Sequence, residues 1–192
     1  VKTIRYGWVA LVASGYNNPG GKGILYVLNP TDGSILKKLS TGVGSNDDPS
    51  GLSTIRAFTS SRKDPYVLQA YGGDLKGNVW RFDLADPDKD NWKVELIAKL
   101  KDKDGNDQPI TTGVRIEVDQ DNNVDRYIFV GTGKLLGLKD IKDDSITNTL
   151  YVIRDGTRTA AGVIDAAGGD GRQRLERRVA AQEDGIGDTE AG

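Results

Sequence analysis

Tyr66-Val-Leu-Gln-Ala-Tyr-Gly72, followed after four residues by Gly77-Asn-Val-Trp-Arg-Phe-Asp83, is the stretch on which the fold turns. It is an apolar run that ends in small residues, a tight connection rich in Gly and Asp, and a second run carrying an aromatic. Both runs are rich in β-branched and aromatic residues, and the connection between them has hairpin chemistry. The same unit occurs twice more. Upstream, Val9-Ala-Leu-Val-Ala-Ser-Gly15 precedes Gly23-Ile-Leu-Tyr-Val-Leu-Asn29. Downstream, Tyr127-Ile-Phe-Val-Gly-Thr-Gly133 precedes Asn148-Thr-Leu-Tyr-Val-Ile-Arg154, with an insertion over 134–147. Tyr26, Trp80 and Tyr151 hold one position in the three copies, 54 and 71 residues apart.

The flanks extend each unit. Ser34–Ser40 and Trp92–Ala98 are more polar, follow turns, and read as outer strands whose lysines discourage edge-to-edge pairing. Leu52–Phe58 and Thr112–Val118 read as innermost strands. Four antiparallel strands in about 40–50 residues is the signature of a β-propeller blade. The expectation is an all-β chain with about three blades, near 8–45, 50–100 and 108–155, in a propeller segment over 1–155. An irregular β-sandwich is the competing arrangement. Three blades do not close a propeller, whose usual minimum is about four. The segment is therefore expected to be part of a longer propeller, or to receive its missing blades from another chain. Beyond Gly156 no aromatic occurs, and only 172–184, with Leu175 and Val179, has helical content. A tail over 156–192 that is poorly structured or forms a short helix is expected there.

Composition narrows the chemistry. The 192 residues include no His, Cys or Met, and 26 Lys+Arg stand against 28 Asp+Glu. Without His or Cys there is no Ser-His-Asp triad, no thiolate zinc site and no disulfide. A net charge of −2 gives no electrostatic reason to expect nucleic acid or an anionic membrane as partner. No apolar run is long enough to span a bilayer as a helix. Gly, at 25 residues, is well above the average share of about 7%, and Asp far outnumbers Glu, which suits a turn-rich β protein.

The longer strings carry a resemblance. Tyr71-Gly-Gly-Asp-Leu-Lys-Gly-Asn-Val-Trp-Arg-Phe-Asp-Leu84 resembles the hallmark string of the C-terminal propeller of the PilY/PilC proteins, the type IV pilus tip-associated adhesin and biogenesis factors. Gly15–Asn18, Gly23–Gly33, Gly51–Thr54, Gln108–Thr112, Phe129–Gly133 and Tyr151–Asp155 match in the same order, so the resemblance covers about 8–157. It implies a non-enzymatic binding and assembly module acting in pilus biogenesis, surface sensing and adhesion to surfaces or host cells. The implied partners are pilins, minor pilins or host-surface ligands, with the rest of the chain's own propeller. The implied location is exported, through the periplasm, to the pilus tip, the cell surface or the outer membrane. Two other functions compete: a quinoprotein-type (pyrroloquinoline-quinone) dehydrogenase propeller, suggested by Leu25–Gly33, and a purely structural scaffold.

Calcium is the one cofactor the residues suggest. Asp119, Asp121, Asn123 and Asp125 put oxygen ligands at alternating positions, the spacing by which a loop wraps a hard cation. A solvated turn between two strands uses the same residues. Asp102–Asp107 and Asp86–Asp90 show similar spacing beside lysines. Many PilY/PilC members place an acidic calcium loop where this chain has Thr59–Tyr66, with one carboxylate and two cations, so calcium control there is not carried over. Asp74 and Asp83 could be imagined as an acid–base pair but suit turn caps. Gly131–Gly137 fits a strand-exit turn, not a phosphate loop. Tyr16, on a Gly-rich loop, is expected to be an exposed contact residue.

Overall fold

The structure is a computed structural model that describes residues 1–61, 63–118, 126–142, 147–155 and 164–165. The strands are β1 (Lys2–Thr3), β2 (Gly7–Trp8), β3 (Ala10–Ala13), β4 (Ile24–Leu28), β5 (Ile35–Ser40), β6 (Ile55–Ser61), β7 (Asp64–Gly73), β8 (Asn78–Asp83), β9 (Lys93–Lys99), β10 (Arg115–Val118), β11 (Arg126–Gly131), β12 (Leu150–Asp155) and β13 (Ile164–Asp165). They form three meanders. The first is β3-β4-β5, the second β6-β7-β8-β9, and the third β10-β11-β12, with every neighbour in each antiparallel.

The middle blade has all four strands. Blades one and three show three each among the described residues. In strand order, the first lacks an innermost strand beside β3 and the third lacks an outer strand beside β12. The helical expectation over 172–184 lies outside the described residues. After β11 the segment makes an isolated parallel bridge from Gly133 to Ile110 and leads into a short 3-10 helix, Leu138–Lys142.

Side-chain alternation along the strands builds two cores between three sheets. On β8, Trp80 and Phe82 face the first blade and join Leu25, Val27 and Leu39. Val79, one residue away, faces the third blade with Ile128, Val130, Tyr151 and Ile153. Because β8 is covered on both faces, Val79, Trp80 and Phe82 are all buried although they point to opposite sides. Each fully buried side chain such as Leu25, Phe82 or Ile153 contributes roughly 1.5–3 kcal/mol by burial.

The recurring aromatic is the inter-blade residue. Register pairs Val12 with Tyr26, Gly72 with Trp80, and Val130 with Tyr151. Trp80 is 5% exposed in the core toward blade one, and Tyr151 is 6% exposed in the core toward blade two. Each aromatic thus points at the preceding blade. Tyr26 has no preceding blade among the described residues. It stays half-buried, with Lys38 Nζ 5.7 Å from its ring centroid.

Two glycines set how closely the strands approach. A Cβ on Gly73 would lie 2.3 Å from Ile110 Cγ2, so glycine is required where blades two and three meet. Gly77 has φ +72°, and a Cβ there would lie 2.4 Å from the Leu100 carbonyl oxygen. Both the left-handed backbone and the neighbouring main chain demand glycine at that turn.

Candidate functional site

The polar side chains that the fold buries gather at two kinds of place: turns that end strands, and the seam between blades two and three.

The first kind is a repeated Asp-x-x-Gly-Asn turn. In Asp74-Leu-Lys-Gly-Asn78, the Asp74 carboxylate accepts from the amides of Lys76 (2.9 Å) and Asn78 (3.0 Å), from Asn78 Nδ2 (2.9 Å) and from Trp80 Nε1 (2.9 Å). The turn is closed by Gly77 N donating to the Asp74 carbonyl. Asp102-Lys-Asp-Gly-Asn106 repeats the arrangement: Asp102 accepts from the amides of Asp104 and Asn106 and from Asn106 Nδ2. Gly105 N donates to the Asp102 carbonyl, and Gly105 also has a positive φ. The two carboxylates do the same work in different surroundings. Burial pushes the Asp74 carboxyl above its ordinary range, although its four donors pull it the other way. At Asp102 the hydrogen bond from Asn106 leads, and the carboxyl is lowered.

Asp86–Asp90 is likewise a capping loop. Asp86 accepts from the Asp88 amide and from Asn91 Nδ2, and Asp88 accepts from the Asp90 amide. Trp92 Nε1 donates to the Asp86 carbonyl, and Lys37 of the first blade reaches Asp90 at 2.6 Å. The lysine on the outer strand therefore ties two blades together as well as guarding an edge.

The second kind is an ionic seam. Arg81 on β8 donates through one terminal nitrogen to Asp155 (2.6 Å), through Nε to Asp83 (3.2 Å), and through the other terminal nitrogen to Glu95. Tyr71 Oη donates to the second Asp155 oxygen at 2.9 Å. The Asp155 side chain is 3% exposed, so its charge is neutralised by protein groups rather than by water. Burial opposes the Arg81 charge, but Asp155, Asp83 and Glu95 outweigh it and hold the guanidinium above its ordinary pKa. Burial first, and Asp155 second, push the Tyr71 phenol well up, so it stays a neutral donor. Beside them the buried Arg126 guanidinium lies 4.3 Å from the Phe58 ring centroid, a cation–π contact from blade three to blade two.

Tyr151 and Gln108 close the same seam near the other end of β12. Tyr151 Oη donates to Gln108 Oε1 (2.5 Å) and to the Lys101 carbonyl (3.1 Å), while Gln108 Nε2 reaches the Thr147 carbonyl and Thr149 Oγ1. Tyr16 is not a free contact residue. Its hydroxyl donates to the Thr111 carbonyl at 3.3 Å and its ring packs beside Gly51, so a loop of blade one is fastened to blade three. Tyr16→Phe should cost about 0.5–1.5 kcal/mol in a urea unfolding experiment, the usual worth of one such bond.

The sequence-derived candidates separate accordingly. Asp74 caps a turn, Asp83 is engaged by Arg81, and the two are not joined into an acid–base pair. Asp119, Asp121, Asn123 and Asp125 lie outside the described residues. Among the described residues, no group of three or more carboxylates forms a cluster able to hold a metal ion. Sequence reasoning missed Arg81, Tyr71 and Asp155 as one unit, and missed the duplicated Asp-x-x-Gly-Asn turn. The duplication was visible as Asp, Gly and Asn at the same three positions of 74–78 and 102–106.

Sheets stacked face to face, with buried carboxylates held in turns and ion pairs, define a segment of a β-propeller. The sequence profile of the PilY1 beta-propeller domain matches residues 1–184. The chain belongs to that family. A type IV pilus biogenesis factor PilY1 homolog of Xylella fastidiosa is 28% identical over 165 residues, which is 77% of this chain and 11% of that protein. The type IV pilus biogenesis factor PilY1 of Pseudomonas aeruginosa (strain UCBPP-PA14) is 28% identical over 173 residues, covering 77% of this chain and 15% of the relative. The crystal structure of the Pseudomonas aeruginosa PilY1 C-terminal domain superposes with a TM-score of 0.74 at 25% identity, covering 86% of this chain and 38% of that one. The chain thus spans a small part of the relatives it matches. The expectations of propeller blades and of a PilY-type propeller domain are both met. Among the described residues no helix is long and apolar enough to cross a membrane.

Proposed function

We propose that this segment is a non-enzymatic scaffold within a type IV pilus biogenesis factor, exported to the cell surface, whose stacked blades present loops to pilins, minor pilins or host-surface ligands. The observation that carries the reading is the seam. Arg81, Tyr71 and Asp155 engage one another across two blades, which rigidifies a support. Membership of the PilY1 propeller family supplies the pilus context. The strands fix the loops, so affinity for a partner arises at loops and depends on the blades staying locked.

The test is made in a piliated bacterium carrying the full-length protein. Asp74→Ala, which removes a cap from the middle blade, should abolish or strongly reduce sheared surface pili and surface attachment. Normal pili with the variant protein unfolded or absent would overturn the reading. Calcium at Asp119, Asp121, Asn123 and Asp125 is a separate proposal from ligand spacing. Titration calorimetry of the purified protein against Asp121→Ala tests it, and no heat above buffer from the unmutated protein would end it.

A further inference from the structure

β1 lies between β2 and β7, so Lys2 pairs with Trp8 on one side and with Tyr66 on the other. Opposed residues share a face, and Trp8, Lys2 and Tyr66 therefore form a row across three strands. Their chain neighbours Val9, Val1 and Val67 point the other way, into the core between blades one and two. The row lies on the face that this core does not reach. Trp8 is 58% exposed and Tyr66 39%. The Lys2 ammonium sits between the rings, 5.4 Å from the Trp8 centroid and 5.8 Å from that of Tyr66. The other tryptophans are placed differently. Trp80 and Trp92 are each 5% exposed, and their indole N–H groups donate to the Asp74 carboxylate and the Asp86 carbonyl. Among the described residues, the Trp8 N–H, the Tyr66 hydroxyl and the Lys2 ammonium meet no hydrogen-bond acceptor or carboxylate. The nearby Asp64 carboxylate instead accepts from the Tyr66 amide at 3.0 Å.

We propose that this row binds an acidic oligosaccharide, with sugar rings stacked on the indole and the phenol and a carboxylate on Lys2. The side chains choose the ligand class. The C–H face of a pyranose is apolar enough to lie on an aromatic ring, while its hydroxyl edge stays hydrated. An open sheet face suits such a ligand, whereas a wholly apolar molecule needs a concave pocket to leave water. Trp8 and Tyr66 stand two strand spacings apart, about 9.5 Å, too far for one sugar ring to cover both. An ammonium held beside two aromatic rings keeps its charge close to whatever stacks on them, which favours a carboxylate-bearing sugar over a neutral one. Arg5, exposed in the turn of the same hairpin, adds a second cation. Nucleic acid asks for more cations than these two. The inference rests on the row and not on the pilus assignment.

Binding of the full-length protein to immobilised oligosaccharides tests it, with sialyllactose and trigalacturonate as acidic probes and lactose and maltotriose as neutral ones. At least one acidic probe should bind about tenfold tighter than the neutral ones. Trp8→Ala and Lys2→Gln should each weaken that binding about tenfold, the effect of losing one such contact, with the urea midpoint unchanged. Added salt should weaken the wild type and scarcely affect Lys2→Gln, while Lys2→Arg should keep both the affinity and its salt dependence. Binding to neither acidic probe would overturn the inference, as would equal binding to the neutral sugars. Acidic-sugar binding that survives both Trp8→Ala and Lys2→Gln would overturn it too. Capture on anionic phospholipid vesicles, lost in the same variants and with no sugar bound, would assign the row to a membrane surface and overturn it equally.

Discussion

Replacing Asp74 with alanine is expected to destabilise the domain by about 3–5 kcal/mol, read as a lower urea midpoint at unchanged slope. Four donors converge on this carboxylate, and two of them, Trp80 Nε1 and Asn78 Nδ2, belong to buried side chains. Alanine leaves those donors without a partner and without water, and an orphaned buried donor costs about 1–3 kcal/mol beyond the bond itself. The turn also loses what fixes Gly77 in its left-handed conformation against the Leu100 carbonyl. Asp102→Ala removes a similar cap without an indole above it and should cost clearly less. The pH dependence has an unusual sign. A carboxyl whose folded pKa is raised binds its proton more tightly in the folded state. Its contribution to stability is therefore fullest below the unfolded value near 3.8 and is lost as pH rises through the folded pKa. The stability difference between wild type and Asp74→Ala should shrink across that window and level off above it. A difference that grows with pH would show that the four donors outweigh burial.

How far the sequence reveals this protein depends on distance along the chain. Strand pairs such as Tyr66–Gly72 with Gly77–Asp83 are local, and period-two patterning with a Gly-Asp turn specifies them. The aromatic position was legible for the same reason, since Tyr26, Trp80 and Tyr151 recur in register and the stack buries the latter two. Tyr16 misled because a tyrosine on a glycine-rich loop suggests exposure, whereas its partner, the Thr111 carbonyl, is 95 residues away. The seam was illegible on the same ground. Arg81 and Asp155 are 74 residues apart, and only the stacking of β8 against β12 brings them together. Each lies in a string that resembles the PilY/PilC propeller, yet a resemblance does not say that two strings touch.

The seam makes the second large prediction. Arg81→Met, which keeps the aliphatic stem and deletes the charge, should cost about 3–5 kcal/mol, because it strands Asp155 in a buried site with the Tyr71 hydroxyl still donating to it but no cation beside it. Glu95 and Asp83 are more exposed than Asp155 and can turn to water, so the penalty concentrates on Asp155. A second substitution separates the two halves of that cost. If the damage is an uncompensated buried charge, Asp155→Leu on the Arg81→Met background should restore part of the stability although it deletes another polar group. If the damage is lost packing of the arginine stem, the double variant should be worse than the single one. A cycle between Tyr71→Phe and Arg81→Met should show coupling, since both donors serve one carboxylate and each matters more when the other is gone. An Arg81→Met variant within 1 kcal/mol of wild type would mean that the apolar core of Val79, Ile128, Tyr151 and Ile153 holds blades two and three together unaided. The ionic seam would then specify the register of the stack rather than its strength.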